Sequence, residues 1–118
     1  MSEDASNVAP VLGAVSLDLE SELAESRRHK PWNSGLFSKL LFKADDLRLI
    51  LISLESGARM KEHHAKGTIS IHCLVGNLCV HVQGRACDLH SGQVLTILAG
   101  LRHDVEARDD ATFLLTTS

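Results

Sequence analysis

Apolar and polar residues alternate along most of this chain, and short turns interrupt the alternation at regular intervals. The turns contain glycine, asparagine or aspartate, as at 44–46, 76–77, 91–92 and 109–110. Many short segments of this kind predict an antiparallel β-sandwich or barrel. The segments predicted as strands are 36–43, 47–54, 69–75, 78–82, 85–89, 93–98, 103–107 and 112–117.

One segment has a helical pattern instead. Over 17–29 leucines interleave with acidic residues, and the segment ends in a basic run before Pro31. Asp18 or Ser16 can cap its first turn, the charge order suits the helix dipole, and proline ends it. We therefore expect a single domain over 1–118, with an N-terminal helical or extended arm over about 1–33 and an all-β barrel over about 34–117. Trp32 is expected to hold the arm against the barrel.

The dipeptide Gly76-Asn77 predicts a tight hairpin between the segments 69–75 and 78–82. Alternation then places the apolar residues 69, 71, 73, 75, 78, 80 and 82 on the inner face. Two cross-strand pairs would lie on the outer face, Leu74 with Cys79 and His72 with His81. The histidine pair is a candidate two-point site for zinc or nickel, although an exposed imidazole pair is the favoured interpretation.

Composition narrows the classes of function. The chain has 118 residues, with 12 basic and 15 acidic side chains for a net charge of -3, which argues against a nucleic-acid partner. No apolar stretch is long enough to cross a membrane, and the N-terminus carries Glu3 and Asp4 where an export signal is basic. We expect a cytoplasmic protein whose odd number of cysteines stay reduced. The sequence has no phosphate-binding glycine loop, no serine elbow and no cysteine–histidine arrangement with catalytic spacing.

Six of the seven histidines fall between positions 63 and 103, and four of them lie within two glycine-bounded motifs. The first begins at Gly57, reaches His63-His64-Ala65 after five residues, and continues through Ile69 to Gly76. The second runs from Gly92 through Leu98-Ala-Gly100 to His103. This joint spacing resembles the two conserved motifs of the cupin superfamily. The resemblance implies a small jelly-roll β-barrel over about 45–117, and a homodimer formed through sheet extension and an N-terminal strand.

The same resemblance implies a metal site that is incomplete here. Metal-binding cupins hold one divalent ion (iron, manganese, nickel or zinc) with two histidines and a glutamate of the first motif and a histidine of the second. In this chain His63 and His103 match, but Ala65 and Ile69 stand at the second histidine and the glutamate positions. His64 is a candidate third ligand, and it would need a bulge to point inward. Two imidazoles alone are a weak site.

Three interpretations of His63 and His103 stay open: metal ligands, ligands of a metal-free pocket, or residues without a binding role. The favoured one is a small-molecule binding pocket inside the barrel, with an anionic ligand favoured if Lys61 reaches it. An alternative is a mononuclear metalloenzyme, an oxygenase or isomerase of a small organic acid, and a further one is a sensor or assembly module acting through its dimer surface. Whether the protein is an enzyme is left open. The predicted pocket residues are His63, His103, Ile69, Ile71, Val80 and Lys61.

Overall fold

The computed structural model describes residues 12–63 and 65–118. One helix, α1 (Leu19–Arg28), and a 3-10 turn over Asn33–Gly35 precede the strands. Nine strands follow in chain order: β1 (Leu36–Lys43), β2 (Arg48–Leu54), β3 (Arg59–His63), β4 (Ile69–Val75), β5 (Asn77–Val82), β6 (Arg85–His90), β7 (Val94–Ile97), β8 (His103–Ala107) and β9 (Ala111–Thr117).

The strands form two antiparallel sheets that pack face to face. The larger sheet has the order β1-β2-β9-β4-β7 and the smaller sheet the order β3-β8-β5-β6. Apolar side chains from both sheets meet in one core, with Phe113 and Ile71 from the larger sheet and Leu78, Val80 and Val105 from the smaller one. The predicted all-β class and nearly all of the predicted strands are confirmed. β3 is not among the predicted segments, because Met60 is its only apolar residue.

Helix α1 packs on the outer face of the larger sheet. Its first turn is capped by the Asp18 side chain, which accepts hydrogen bonds from two backbone N–H groups. The Ser26 hydroxyl hydrogen-bonds the Ser53 hydroxyl of β2, and the Trp32 indole N–H donates to the Ser26 carbonyl. Leu51, which also faces outward from β2, is fully buried. Trp32 is buried, and its backbone N–H donates to the Glu55 carboxylate that follows β2, which agrees with its expected role in holding the arm to the barrel; residues 1–11 of the arm lie outside the described residues.

The predicted hairpin at Gly76-Asn77 is wrong. β4 pairs with β7 and β9, whereas β5 pairs with β6 and β8, so the chain crosses from one sheet to the other at Gly76. Two hydrogen bonds from Asn77 to the Asp109 carboxylate join this corner to the corner between β8 and β9. Alternating apolar residues face the core both when two strands are neighbours in one sheet and when they belong to two facing sheets. The pattern therefore could not show which strands pair, and the hairpin prediction failed for this reason.

The outer-face pairs inferred from that hairpin are also wrong. His72 lies opposite Val94 and Leu114 in the larger sheet, while His81 lies opposite Ala86 and Asp104 in the smaller one. The two histidines therefore cannot form a shared metal site. Most of the residues predicted to face inward are buried in the core, but Val75 is 42% exposed at the crossover.

Candidate functional site

The two motifs of the sequence meet in the folded chain. Antiparallel pairing of β3 with β8 places His63 opposite His103, after an irregularity between Met60 and His63. The loop that follows β3 is joined to the second motif by a 3.0 Å hydrogen bond from the Gly100 N–H to the Ala65 carbonyl. The spacing predicted that these segments belong to one site, and the register places them side by side.

His103 points toward the interior, since it shares its face of β8 with the core residue Val105. It is 2% exposed, and its Nδ1 lies 3.1 Å from the Leu101 carbonyl oxygen. Because a carbonyl only accepts, Nδ1 carries the hydrogen of this contact. The side chain of His63 and the whole of His64 lie outside the described part of the chain.

A cavity of about 380 Å³ opens at one end of the sandwich, where the start of β2, the start of β4 and the end of β9 meet. In the sheet register Thr117 of β9 lies opposite both Arg48 of β2 and Ile69 of β4, so the three residues lie at the same end of neighbouring strands. The cavity is lined by Ala44, Asp45, Leu47, Arg48, Ala65, Lys66, Ile69, Leu115, Thr117 and Ser118.

The lining includes both positions where this chain departs from the metal-binding motif. Ala65 and Ile69, which replace the second histidine and the glutamate, line the cavity and make that part of its wall apolar. Arg48 and Lys66 add two cationic groups and Asp45 one carboxylate. The charged side chains of the lining therefore sum to one net positive charge, next to an apolar wall formed with Leu115.

The other predicted pocket residues occupy different places. Ile69 lines the cavity, whereas Ile71 and Val80 are almost fully buried and pack among the core side chains. Lys61 is exposed on β3. Arg59 faces the outer surface and Met60 packs against the core, and an irregularity in the pairing between Met60 and His63 breaks the simple alternation of the strand. The structure thus brings Ile69 together with residues that the sequence analysis did not single out.

Arg48, Lys66 and Asp45 are the residues that sequence reasoning missed. Lys66 lies inside the first motif, beside Ala65, at a position to which the motif assigns no role. Asp45 and Arg48 belong to the turn and strand start between β1 and β2, far from the motifs in sequence. No signal in the sequence connected that turn with the motifs, since only the pairing of β2 and β4 with β9 brings them together.

A second polar cluster lies on the outer face of the smaller sheet. The His81 Nδ1 lies 2.8 Å from one Asp104 oxygen, and the Arg59 guanidinium donates to the other at 2.9 Å. The Cys79 Sγ lies 3.7 Å from the His81 Nε2. Positions two apart on a strand share a face, so Cys79 and His81 lie side by side, a proximity that the sequence analysis did not single out. Burial acts to raise the pKa of Asp104, but the hydrogen bonds from Arg59 and His81 together lower it.

The donor set does not fit the divalent metal that the motif resemblance implies. Two of its four ligand positions carry the apolar side chains of Ala65 and Ile69. Among the side chains that the structure describes, no three histidine, cysteine, aspartate or glutamate residues converge as metal ligands.

Within the same described residues, no helix is long and apolar enough to cross a membrane.

Comparison with known proteins identifies the fold. No family model and no curated protein matches the chain. A Streptococcus pyogenes protein of unknown function is 22% identical over 95% of this chain and 93% of its own, with a TM-score of 0.72. A cupin superfamily protein of Desulfitobacterium hafniense is 20% identical over 92% and 93%, with a TM-score of 0.73. Salicylate 1,2-dioxygenase of Pseudoaminobacter salicylatoxidans, solved as adducts with gentisate, is 14% identical over 84% of this chain and 30% of its own, with a TM-score of 0.68.

Proposed function

Because the chain has the cupin jelly-roll fold, we propose that it binds a small organic anion in the cavity between the β1–β2 turn and the 65–69 loop. The observation that carries this proposal is the joint presence of Arg48 and Lys66 in a cavity where Ala65, Ile69 and Leu115 form an apolar part of the wall. A volume of about 380 Å³ is within the range of small-molecule sites. Such sites combine an apolar wall with a few polar groups that orient the ligand.

The lining favours a particular class of anion. A guanidinium can hold a carboxylate through two parallel hydrogen bonds, and a lysine ammonium adds a compact charge. Ile69 and Leu115 offer contact to a hydrocarbon body. Asp45 repels a second negative charge, so a monocarboxylate with an apolar or aromatic body suits the cavity better than a di- or tricarboxylate. Gentisate, present in the structure of the similar dioxygenase, belongs to this class.

Calorimetric titration with benzoate, salicylate, gentisate, malonate and phosphate tests the proposal. We expect binding of at least one aromatic monocarboxylate, weakened about tenfold by Arg48→Gln, the usual scale for a lost charge-assisted contact of about 1.5 kcal/mol. Lys66→Gln should weaken it less, and Asp45→Asn should strengthen it because the like charge is removed. Arg85→Gln is the matched control, since Arg85 is exposed on β6 in the smaller sheet. Binding that none of the cavity variants changes, or no binding by any probe, would contradict the proposal.

A metal-dependent enzyme is the second candidate, and the register of His63 opposite His103 favours it. The natural chain has apolar residues at two of the four ligand positions, so the test introduces metal ligands there with Ala65→His and Ile69→Glu. The double variant should bind zinc or nickel at least about tenfold more tightly than the natural chain, since each added ligand strengthens a first-row metal site. Stoichiometric metal in the natural chain, removed by His103→Ala, would instead favour the enzyme.

The cytoplasmic location and the homodimer belong to the proposal as well. Cys73, Cys79 and Cys87 are all free thiols, which suits a reducing compartment. Leu40 on β1 and Val94 on β7 are exposed apolar residues on the two edge strands of the larger sheet. Edge strands with such residues favour pairing with another chain. Sedimentation of the full chain tests the dimer, on which the alternative role as a sensor or assembly module also depends.

A further inference from the structure

The polar cluster on the outer face of the smaller sheet contains the elements of an activated thiol. Cys79 and His81 lie on β5, Asp104 on β8 and Arg59 on β3. Cys79 alternates with Leu78 and Val80, which both pack in the core, so its thiol lies on the outer face. None of these residues lines the cavity assigned to the small anion. The cluster is therefore a second site, independent of the proposed function.

The hydrogen bonds define what each group can do. Asp104 is held in an ion pair with Arg59 and accepts from the His81 Nδ1, so that nitrogen carries the hydrogen. In a neutral ring the lone pair then belongs to Nε2, which lies 3.7 Å from the Cys79 Sγ. A nucleophile, a base and a group that orients the base are thus within contact distance of one another, as activated nucleophiles require.

We propose that Cys79 is a redox-active thiol that hydrogen peroxide oxidises to a sulfenic acid. His81 Nε2 accepts the thiol proton, and the sulfur attacks one peroxide oxygen while the O–O bond breaks. The departing hydroxide takes the proton back from His81 and leaves as water. One thiol and one peroxide become one sulfenic acid and one water, with two electrons passing from sulfur to the peroxide.

Access to the sulfur favours a small oxidant. Cys79 itself is 2% exposed, but the Arg59 and Arg108 side chains beside it are 54% and 55% exposed. Arg108 donates a hydrogen bond to Asp88, which lies opposite Cys79 in the sheet. The pKa of Arg108 is raised mainly by this bond to Asp88 and to a smaller extent by a hydrogen bond to Cys79. Rotation of such exposed side chains can admit a peroxide molecule more easily than a bulky disulfide.

Among the residues that the structure describes, no other thiol lies close enough to pair with the oxidised sulfur. Cys73 belongs to the larger sheet, and Cys87 lies opposite Val80, on the face of β6 that turns away from Cys79. A sulfenic acid at Cys79 therefore persists until an external thiol reduces it, which makes the modification reversible.

The test follows sulfenic acid formation at each cysteine of the full chain, with hydrogen peroxide as the probe, a dimedone trap, and peptide mass spectrometry. In the folded protein Cys79 should react at least about tenfold faster than in the urea-unfolded chain at the same pH, a threshold set below the roughly hundredfold that a positioned base contributes at least, to allow for the burial of the thiol. A thiol that is merely buried and hydrogen-bonded would instead react more slowly when folded. That result would overturn the proposal.

Two variants separate activation from structure. His81→Gln keeps a polar side chain that can hydrogen-bond Asp104 but removes the base, so the folded rate at Cys79 should fall at least about tenfold. Cys87→Ser is the matched control, and it should leave the Cys79 rate unchanged. An unchanged Cys79 rate in folded His81→Gln would contradict the role of the base. If that variant does not fold, the comparison of folded and unfolded natural protein still decides.

Discussion

Three hydroxyl groups connect helix α1 to the outer face of the larger sheet, and their removal has a calculable cost. The Ser53 hydroxyl lies 2.5 Å from that of Ser26 and 2.7 Å from that of Thr112. All three residues are buried, and Ser53 is 0% exposed. Ser53→Ala removes the central hydroxyl and leaves its two neighbours without this partner in a site that water does not reach.

The expected loss of stability follows from the two hydrogen bonds. Leaving a buried polar group unsatisfied costs about 1–3 kcal/mol, and Ser26 and Thr112 each retain part of their bonding capacity. We expect Ser53→Ala to lower the free energy of unfolding by about 2 kcal/mol. For a chain of this length the entropy of unfolding is about 0.25 kcal/mol/K, so the midpoint of thermal unfolding should fall by about 8 °C.

Urea unfolding followed by circular dichroism measures this loss directly. Ser38→Ala is the control, because Ser38 is an exposed serine on the neighbouring strand β1 and should change the free energy by less than about 0.5 kcal/mol. Removing all three hydroxyls, with Ser26→Ala and Thr112→Val, should cost less than the sum of the single changes, since no unsatisfied partner then remains. A Ser53→Ala variant as stable as the control would refute the role given to this chain of hydroxyls.

Three further predictions concern the crossover, one carboxylate and one thiol. Gly76→Ala should lower the free energy of unfolding in urea by more than about 3 kcal/mol, because the residue has φ +85° and an added Cβ would lie 2.3 Å from the Asp110 carbonyl oxygen. Gly84→Ala is the control: with φ +80° and nothing within 4 Å of an added Cβ, it should lower the free energy by only about 1 kcal/mol of strain. The hydrogen bond from Lys30 lowers the pKa of Asp110 from its ordinary 3.8, so the carboxylate stabilises the fold above that pH and this contribution is lost as the pH falls through the lowered pKa. Asp110→Asn should thus be less stable than the natural chain at pH 7, and the difference should disappear in acid unfolding series below about pH 3; a difference that persists there would contradict this. Burial raises the pKa of Cys73 to about 11, so native Cys73 should resist iodoacetamide at pH 8 and react once the chain is unfolded; fast native labelling would be the contrary result.

Local patterns in the sequence were sufficient for most of the elements. Leu36–Lys43, Ile69–Val75 and His103–Ala107 agree with the predicted strands to the residue, because turn residues bound each apolar run. The pairing of β4 was not predictable in the same way. A glycine followed by asparagine favours a hairpin, but here Asn77 binds Asp109 from a turn more than thirty residues later. Such long-range contacts have no signature in a local window.

The candidate site was predictable only where the motif spacing reached it. The spacing of the two motifs predicts that His63 and His103 belong to one site, and the pairing of β3 with β8 places the two residues opposite each other. Arg48 contributes to the cavity through the pairing of β2 with β9, and β9 also pairs with β4, which begins at Ile69. A charged residue at the start of a strand is common on solvated surfaces, so its sequence context gave no reason to select it.

The central claim is that a small organic anion binds at the cavity lined by Arg48, Lys66 and Ile69. Two-dimensional ¹⁵N NMR during a titration with salicylate locates any binding residue by residue. The backbone signals that shift should belong to 44–48, 65–69 and 115–118, and Arg48→Gln should reduce those shifts severalfold at the same sub-saturating salicylate concentration. Shifts confined to other surfaces, or a spectrum that salicylate, benzoate and gentisate all leave unchanged up to millimolar concentrations, would contradict this claim.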